Sequence, residues 1–137
     1  HATIRRQRQM CIRDRDRTAF RKKWARKESA LRRKIQTARE QIDDVDTPAV
    51  LLETAAKLCL ALGTDGLRGE LTLVRSARAL AALEGKSAAT LKHLRAMAPS
   101  VLRHRLRRDP LDESSADIRV ERVIAELFQE SVDDGGN

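Results

Sequence analysis

The feature that most constrains this chain is the spacing of its apolar residues. From Thr18 onward they recur every three or four positions, and no segment alternates convincingly with period two. That spacing collects apolar side chains on one face of a helix, which must then be buried against other helices. Phe20, Trp24, Leu31, Ile35 and Ile42 mark the first such face, with Phe20 and Trp24 four apart and able to pack side by side. Asp43-Asp44-Val45-Asp46 ends that element. Thr47-Pro48 reads as the next start, Thr47 capping the free amides and Pro48 preset for the first helical position. Its buried face is Val50, Leu51, Ala55, Leu58 and Leu62, and Gly63 is placed to stop it.

A third helix is expected from about Gly66 to Glu84, with Leu67, Leu71, Val74, Ala77 and Ala81 on one side and Gly85 as its stop. Its Ala-rich second half permits a neighbouring helix to approach closely. Ser87 is the expected cap of a fourth helix through Met97, where Pro99 either kinks it or begins a new helix reaching about Arg105. Residues 107–115 read as a loop, and a last amphipathic helix carries Ile118, Val120, Val123, Ile124, Leu127 and Phe128. The expected fold class is all-α, a small bundle of about five helices joined by short loops.

Residues 1–17 follow none of this patterning. They hold six Arg and no Lys, and they read either as a floppy basic leader or as translated adapter sequence ahead of a truncated frame, since the chain opens on His1. The domain reading is therefore a leader at 1–17, a helical domain at 18–130 and a frayed tail at 131–137.

Charge first suggests a polyanionic partner, because 28 Lys and Arg against 20 Asp and Glu give a net charge of +8. The excess is local. Residues 1–50 carry 15 basic and 7 acidic side chains, whereas residues 51–137 carry 13 of each. Phe20, Trp24 and Phe128 are the whole aromatic complement, too few for a base-stacking surface, so nucleic acid is not the favoured partner. A basic helical nucleic-acid-binding module stays as a competing class. No apolar run is long enough for a membrane span. Cys11 and Cys59 lie 48 residues apart with no CxxC, which indicates neither a disulfide framework nor a zinc site and fits a reducing cytosol. Cys59, between two leucines, reads as a small core hydrophobe.

Catalytic motifs are missing from these residues: no GxxxxGK[ST] loop, no HExxH, no GxSxG. No catalytic or metal-binding residue is assigned, and His93 and His104 are read as surface residues on basic helix faces. One stretch breaks local rules. Asp65-Gly66-Leu67-Arg68-Gly69 opens a helix with an arginine where acidic residues are favoured, and flanks it with two glycines that weaken a helix. Free helix amides, bare glycine backbone and a guanidinium together suit an anion such as phosphate. Arg75 and Arg78 extend this into a basic stripe, expected opposite Leu71 and Val74. The competing reading is a solvated face with Arg68 paired to Glu70 or Asp65.

Residues 61–85, ALGTDGLRGELTLVRSARALAALEG, followed by HRLRRDPLD at 104–112, resemble the C-terminal helical lid of magnesium chelatase ATPase subunit I, a AAA+ family. AFRKKW at 19–24 and Ala38-Arg39-Glu40 are similar to that subunit too, so the resemblance covers about residues 18–128. It implies a ring-forming, hexameric ATPase using ATP and Mg2+. With a D subunit and a porphyrin-binding H subunit, that ring drives Mg2+ into protoporphyrin IX on the way to chlorophyll or bacteriochlorophyll. By the same resemblance Arg68 is the sensor-2 arginine, supported by Asp65, Gly66 and Gly69 at the helix start. The phosphate-loop lysine, acidic Mg2+ ligands and arginine finger of the family would lie upstream of Thr18. The fragment is therefore expected to hold no cofactor and hydrolyse no ATP alone, in bacterial cytoplasm or plastid stroma. The ATPase-like domain of the D subunit and MoxR-like ATPases share parts of the pattern.

Overall fold

A computed structural model describes residues 16–64, 67–106 and 115–133. The described elements are α1 (Arg17–Gln41), a 3-10 turn (Ile42–Asp44), α2 (Ala49–Leu62), α3 (Arg68–Leu83), α4 (Leu91–Leu102) and α5 (Ala116–Asp133). No strand occurs among the described residues, as the apolar spacing requires. Two compact units divide the chain, residues 1–37 and residues 38–137.

The first unit contains most of α1. Asp16 Oδ1 accepts from the Ala19 amide at 3.0 Å, so a side chain of the expected leader caps this helix and Arg17 is already helical. Phe20 and Trp24 pack with ring centroids 5.9 Å apart, and Lys27 Nζ lies 4.4 Å above the Trp24 ring.

In the second unit α2 packs on α3, α4 and α5, and α4 packs on α3 and α5. The core is built from Leu51, Leu58 and Leu62 of α2, Leu73 of α3, Leu94 and Leu102 of α4, and Val120 and Ile124 of α5, all buried. Ala38 and Val45 join it, with Ile42 packed alongside. Six expected inward residues instead face out: Leu31 and Ile35 of α1, and Val50, Leu67, Leu71 and Ile118. On α3 the buried row is Gly69, Leu73, Ala77 and Ala81, one residue every fourth position. The Leu67-Leu71-Val74 row is more hydrophobic, but the Gly/Ala row lets α4 approach closely, and close packing decides the register.

Two helix ends match the sequence reading closely. Gly63 (φ 64°) and Gly85 (φ 70°) adopt the left-handed conformation that closes a helix. The amides of Gly63 and Thr64 donate to Leu60 and Cys59, and those of Gly85 and Lys86 to Ala82 and Ala81, the paired pattern of a Schellman ending.

The helix starts differ more. Asp46 bridges in parallel to Ala88: its amide donates to the Ser87 carbonyl at 2.8 Å and its carbonyl accepts from Ala89 at 2.9 Å. That extended pairing carries the chain past Thr47, so Pro48 rather than Thr47 occupies the cap position of α2, without a side-chain bond. It also engages Ser87, and Thr90 becomes the cap of α4. Pro99 neither starts nor breaks a helix; it sits in the last turn of α4, where its carbonyl accepts from Arg103 at 3.2 Å.

Candidate functional site

The start of α3 is built from the end of α2. Gly63 turns the chain, and Thr64 returns it against the segment after α4, forming an antiparallel bridge with Leu106. Asp65 and Gly66 lie outside the described residues. Leu67 is the cap residue, and its hydrocarbon side chain can accept no hydrogen bond from the first amides of α3. Arg68 is the first helical residue and is exposed. Among the described residues its guanidinium has no hydrogen-bond or ion-pair partner, Glu70 included. The chemistry available here is a fork of five donors, without a partner among the described residues, at the start of a helix, which complements a phosphoryl or carboxylate group.

Gly69 faces the other way. A Cβ placed on it would stand 3.4 Å from Cys59 Sγ, 3.5 Å from Thr64 Oγ1 and 3.7 Å from Leu102 Cδ2, so its open side is turned to the core. Those separations are ordinary van der Waals contact. Gly69→Ala is expected to leave stability unchanged or raise it by up to about 1 kcal/mol through helix propensity. Gly69→Leu should lower it by about 1–3 kcal/mol through overpacking. Urea unfolding of the two variants checks both, and a destabilised alanine variant would assign the glycine a backbone role instead.

The basic stripe shrinks in the structure. Arg75 is exposed, but Arg78 Nη2 donates to the Asp43 carbonyl at 2.8 Å and lies 3.9 Å from its carboxylate, tying α3 to the 3-10 turn. Nor is the stripe opposite Leu71. At 100° per residue Leu71 falls between Arg75 and Arg78, and it is 46% exposed. Leu67, next to Arg68, is 70% exposed, so the start of α3 presents apolar as well as cationic surface.

The two sequence stretches that carried the family resemblance meet here. Leu102 reaches Gly69, and Leu106 pairs with Thr64. His104 is exposed and accepts from Arg103 Nε at 3.1 Å, while residues 107–112 lie outside the described residues. Cys59 is buried beneath the junction. Burial pushes its thiol above its ordinary 9.0, against smaller opposing effects of a Thr64 hydrogen bond and the Arg105 charge, which keeps it an unreactive core group. Among the described residues no cluster of His, Cys, Asp and Glu could hold a metal ion.

His93 is not the solvated residue its sequence context suggested. It is 5% exposed, and its Nδ1 accepts the Thr90 amide at 3.0 Å while its Nε2 lies 2.9 Å from Glu84 Oε2. The bond to an amide leaves Nδ1 without a proton, so Nε2 carries it and donates to Glu84. The signal was present in the sequence as Thr90 followed three residues later by a side chain able to reach back to the cap.

The AAA lid domain family model matches residues 52–127. Over 116 residues the chain is 58% identical to the Magnesium-chelatase 38 kDa subunit of Acidiphilium rubrum, covering 85% of this chain and 34% of that protein. It is 52% identical over 115 residues to the Magnesium-chelatase 38 kDa subunit of Cereibacter sphaeroides, covering 84% and 34%. It is 36% identical over 115 residues to the chloroplastic Magnesium-chelatase subunit ChlI of Oryza sativa subsp. indica, covering 84% and 28%. The chain thus spans about a third of the length of the curated relatives it matches. On its helical architecture and on this match over more than half its length, the chain belongs to the AAA lid domain family.

Proposed function

We propose that this chain is the lid of the ATPase motor subunit of a magnesium chelatase, and that Arg68 is its contact with nucleotide phosphate. The observation that carries the reading is the exposed Arg68 guanidinium, without a partner among the described residues at the first position of α3, in a chain 58% identical to a Magnesium-chelatase 38 kDa subunit. The residues present suit ATP on one side only. Arg68 and the first amides of α3 would hold phosphate oxygens, while the described residues offer no cluster of metal ligands for Mg2+. ATP would supply the energy of phosphoryl transfer. Arg68 would neutralise charge on the phosphoryl oxygens and so report nucleotide state to α3. The exposed Leu67 and Leu71 would seat this face against the ATPase core, excluding water around the guanidinium. In this reading the whole protein forms a homo-oligomeric ring, a hexamer, that works with D and porphyrin-binding H subunits to insert Mg2+ into protoporphyrin IX. Its setting is cytoplasm or plastid stroma.

The test is a chimera in which residues 18–133 replace the corresponding third of the Acidiphilium rubrum 38 kDa subunit. ATP hydrolysis and magnesium insertion within about tenfold of the parent are expected, since a well-matched lid leaves the transition-state contacts in place. A soluble, assembled chimera lacking both activities would refute the reading.

A further inference from the structure

Between residues 17 and 37 the chain carries nine Lys and Arg against one acidic residue, Glu28, and all ten side chains are exposed. Phe20, Trp24, Leu31 and Ile35 recur along the same stretch of α1, and at 100° per residue they fall within about 60° of arc. Leu31 and Ile35 are 55% and 44% exposed, while Phe20 and Trp24 pack on each other with Lys27 over the indole. Five cations border this apolar seam. Lys23, Lys27 and Lys34 lie along one side and Arg21 and Arg32 along the other, each within about 60° of the nearest apolar member. Glu28 is the one carboxylate on either border.

A helix with Phe, Trp and Leu in a line and Lys and Arg beside it has the composition of an interfacial helix. The apolar line enters the headgroup boundary of a bilayer, and the long cationic side chains reach the lipid phosphates. We propose that α1 binds an anionic bilayer surface in this way, with the seam at the headgroup boundary and its bordering cations on the phosphates. The contact is peripheral, since no described helix is long and apolar enough to cross a membrane. Charge distribution chooses the occupant. Lys22, Arg26 and Arg33 fill the far side of the helix, so the positive field surrounds α1 and suits a continuous anionic surface, whereas a protein helix would meet only the borders of the seam. Because Phe20 and Trp24 pack on each other and Lys27 covers Trp24, no open aromatic platform is left for stacking bases. The contact needs neither nucleotide nor Arg68, so its success or failure is separate from that of the phosphate reading.

Trp24 is the single tryptophan of the chain, so its emission reports on the seam directly. In 50 mM NaCl the 137-residue chain is expected to co-sediment with phosphatidylcholine vesicles containing about 30% phosphatidylglycerol, and to shift Trp24 emission to the blue. Binding to phosphatidylcholine alone should be weaker by about tenfold or more, and 300 mM NaCl should weaken the anionic contact about as much by screening. Arg21→Glu with Lys23→Glu, Lys27→Glu and Lys34→Glu should abolish binding. Leu31→Ser with Ile35→Ser, which spares the Trp24 reporter, should weaken it about tenfold or more. All six positions are exposed, and unchanged circular dichroism verifies the fold of each variant. No binding to the anionic vesicles at low salt, equal binding to both kinds of vesicle, or binding that leaves Trp24 emission unchanged would each overturn the proposal. So would either variant binding like the parent, or a chain that ignores the vesicles and binds duplex DNA.

Discussion

In a full-length subunit carrying this lid, Arg68→Ala is expected to lower kcat for ATP hydrolysis by about 100-fold or more, the usual effect of removing one preorganised donor from a developing negative charge. The same substitution should leave stability within about 0.5 kcal/mol of the parent, because the side chain is exposed and contacts no described partner. These two expectations separate a phosphate contact from a structural arginine. Arg68→Lys is informative for geometry: a lysine keeps the charge but loses the planar fork, so partial recovery of rate is expected rather than restoration. A pure binding contact would raise KM and spare kcat, whereas a contact formed with the transferring phosphoryl group lowers kcat. Thermal unfolding beside steady-state ATPase measurements decides the matter. Equal loss of stability and rate would return Arg68 to an ordinary surface role.

Helix identity was legible in the sequence because it depends on local, one-dimensional signals. Gly63 and Gly85 stop helices through their own backbone freedom, so they end α2 and α3 where the apolar rows expire. Register on α3 was legible only in its second half. Ala77 and Ala81 face inward as expected, but Gly69 and Leu73 complete the row in place of the exposed Leu67 and Leu71, because the volume available beside α4 ranks small residues above large ones. The caps failed for a related reason. Thr47 and Ser87 both have suitable side chains, but the bridge through Asp46 to Ala88 draws both neighbourhoods into extended backbone, a pairing across 42 positions that no local window contains. The broken helix-start rules around Arg68 were legible because they are local. Arg78 was misjudged because Asp43 lies 35 residues away in sequence.

The buried His93 supports a second expectation. His93→Ala should destabilise the chain by about 2–4 kcal/mol, since it leaves the Thr90 amide without its side-chain acceptor, removes the bond to Glu84 and opens a cavity at the α3–α4 junction. His93→Gln is the discriminating variant: glutamine at this position can still reach the cap amide but carries no ring to span to Glu84, so it should recover part of the loss. The pair also has a pH signature. The hydrogen bond from His93, aided by the charges of Lys92 and Lys86, holds Glu84 below its ordinary 4.5 against a smaller opposing effect of burial. A carboxylate lowered by folding contributes stability that is present above its unfolded value and disappears as pH falls through its folded value. The gap in urea midpoint between the parent and Glu84→Gln should therefore be widest at neutral pH and close below about pH 4.5 as the parent carboxylate takes up its proton. A constant gap from pH 7 to pH 3 would mean that the Glu84 charge contributes nothing. The His93 cap would then hold the α3–α4 junction through the Thr90 amide alone.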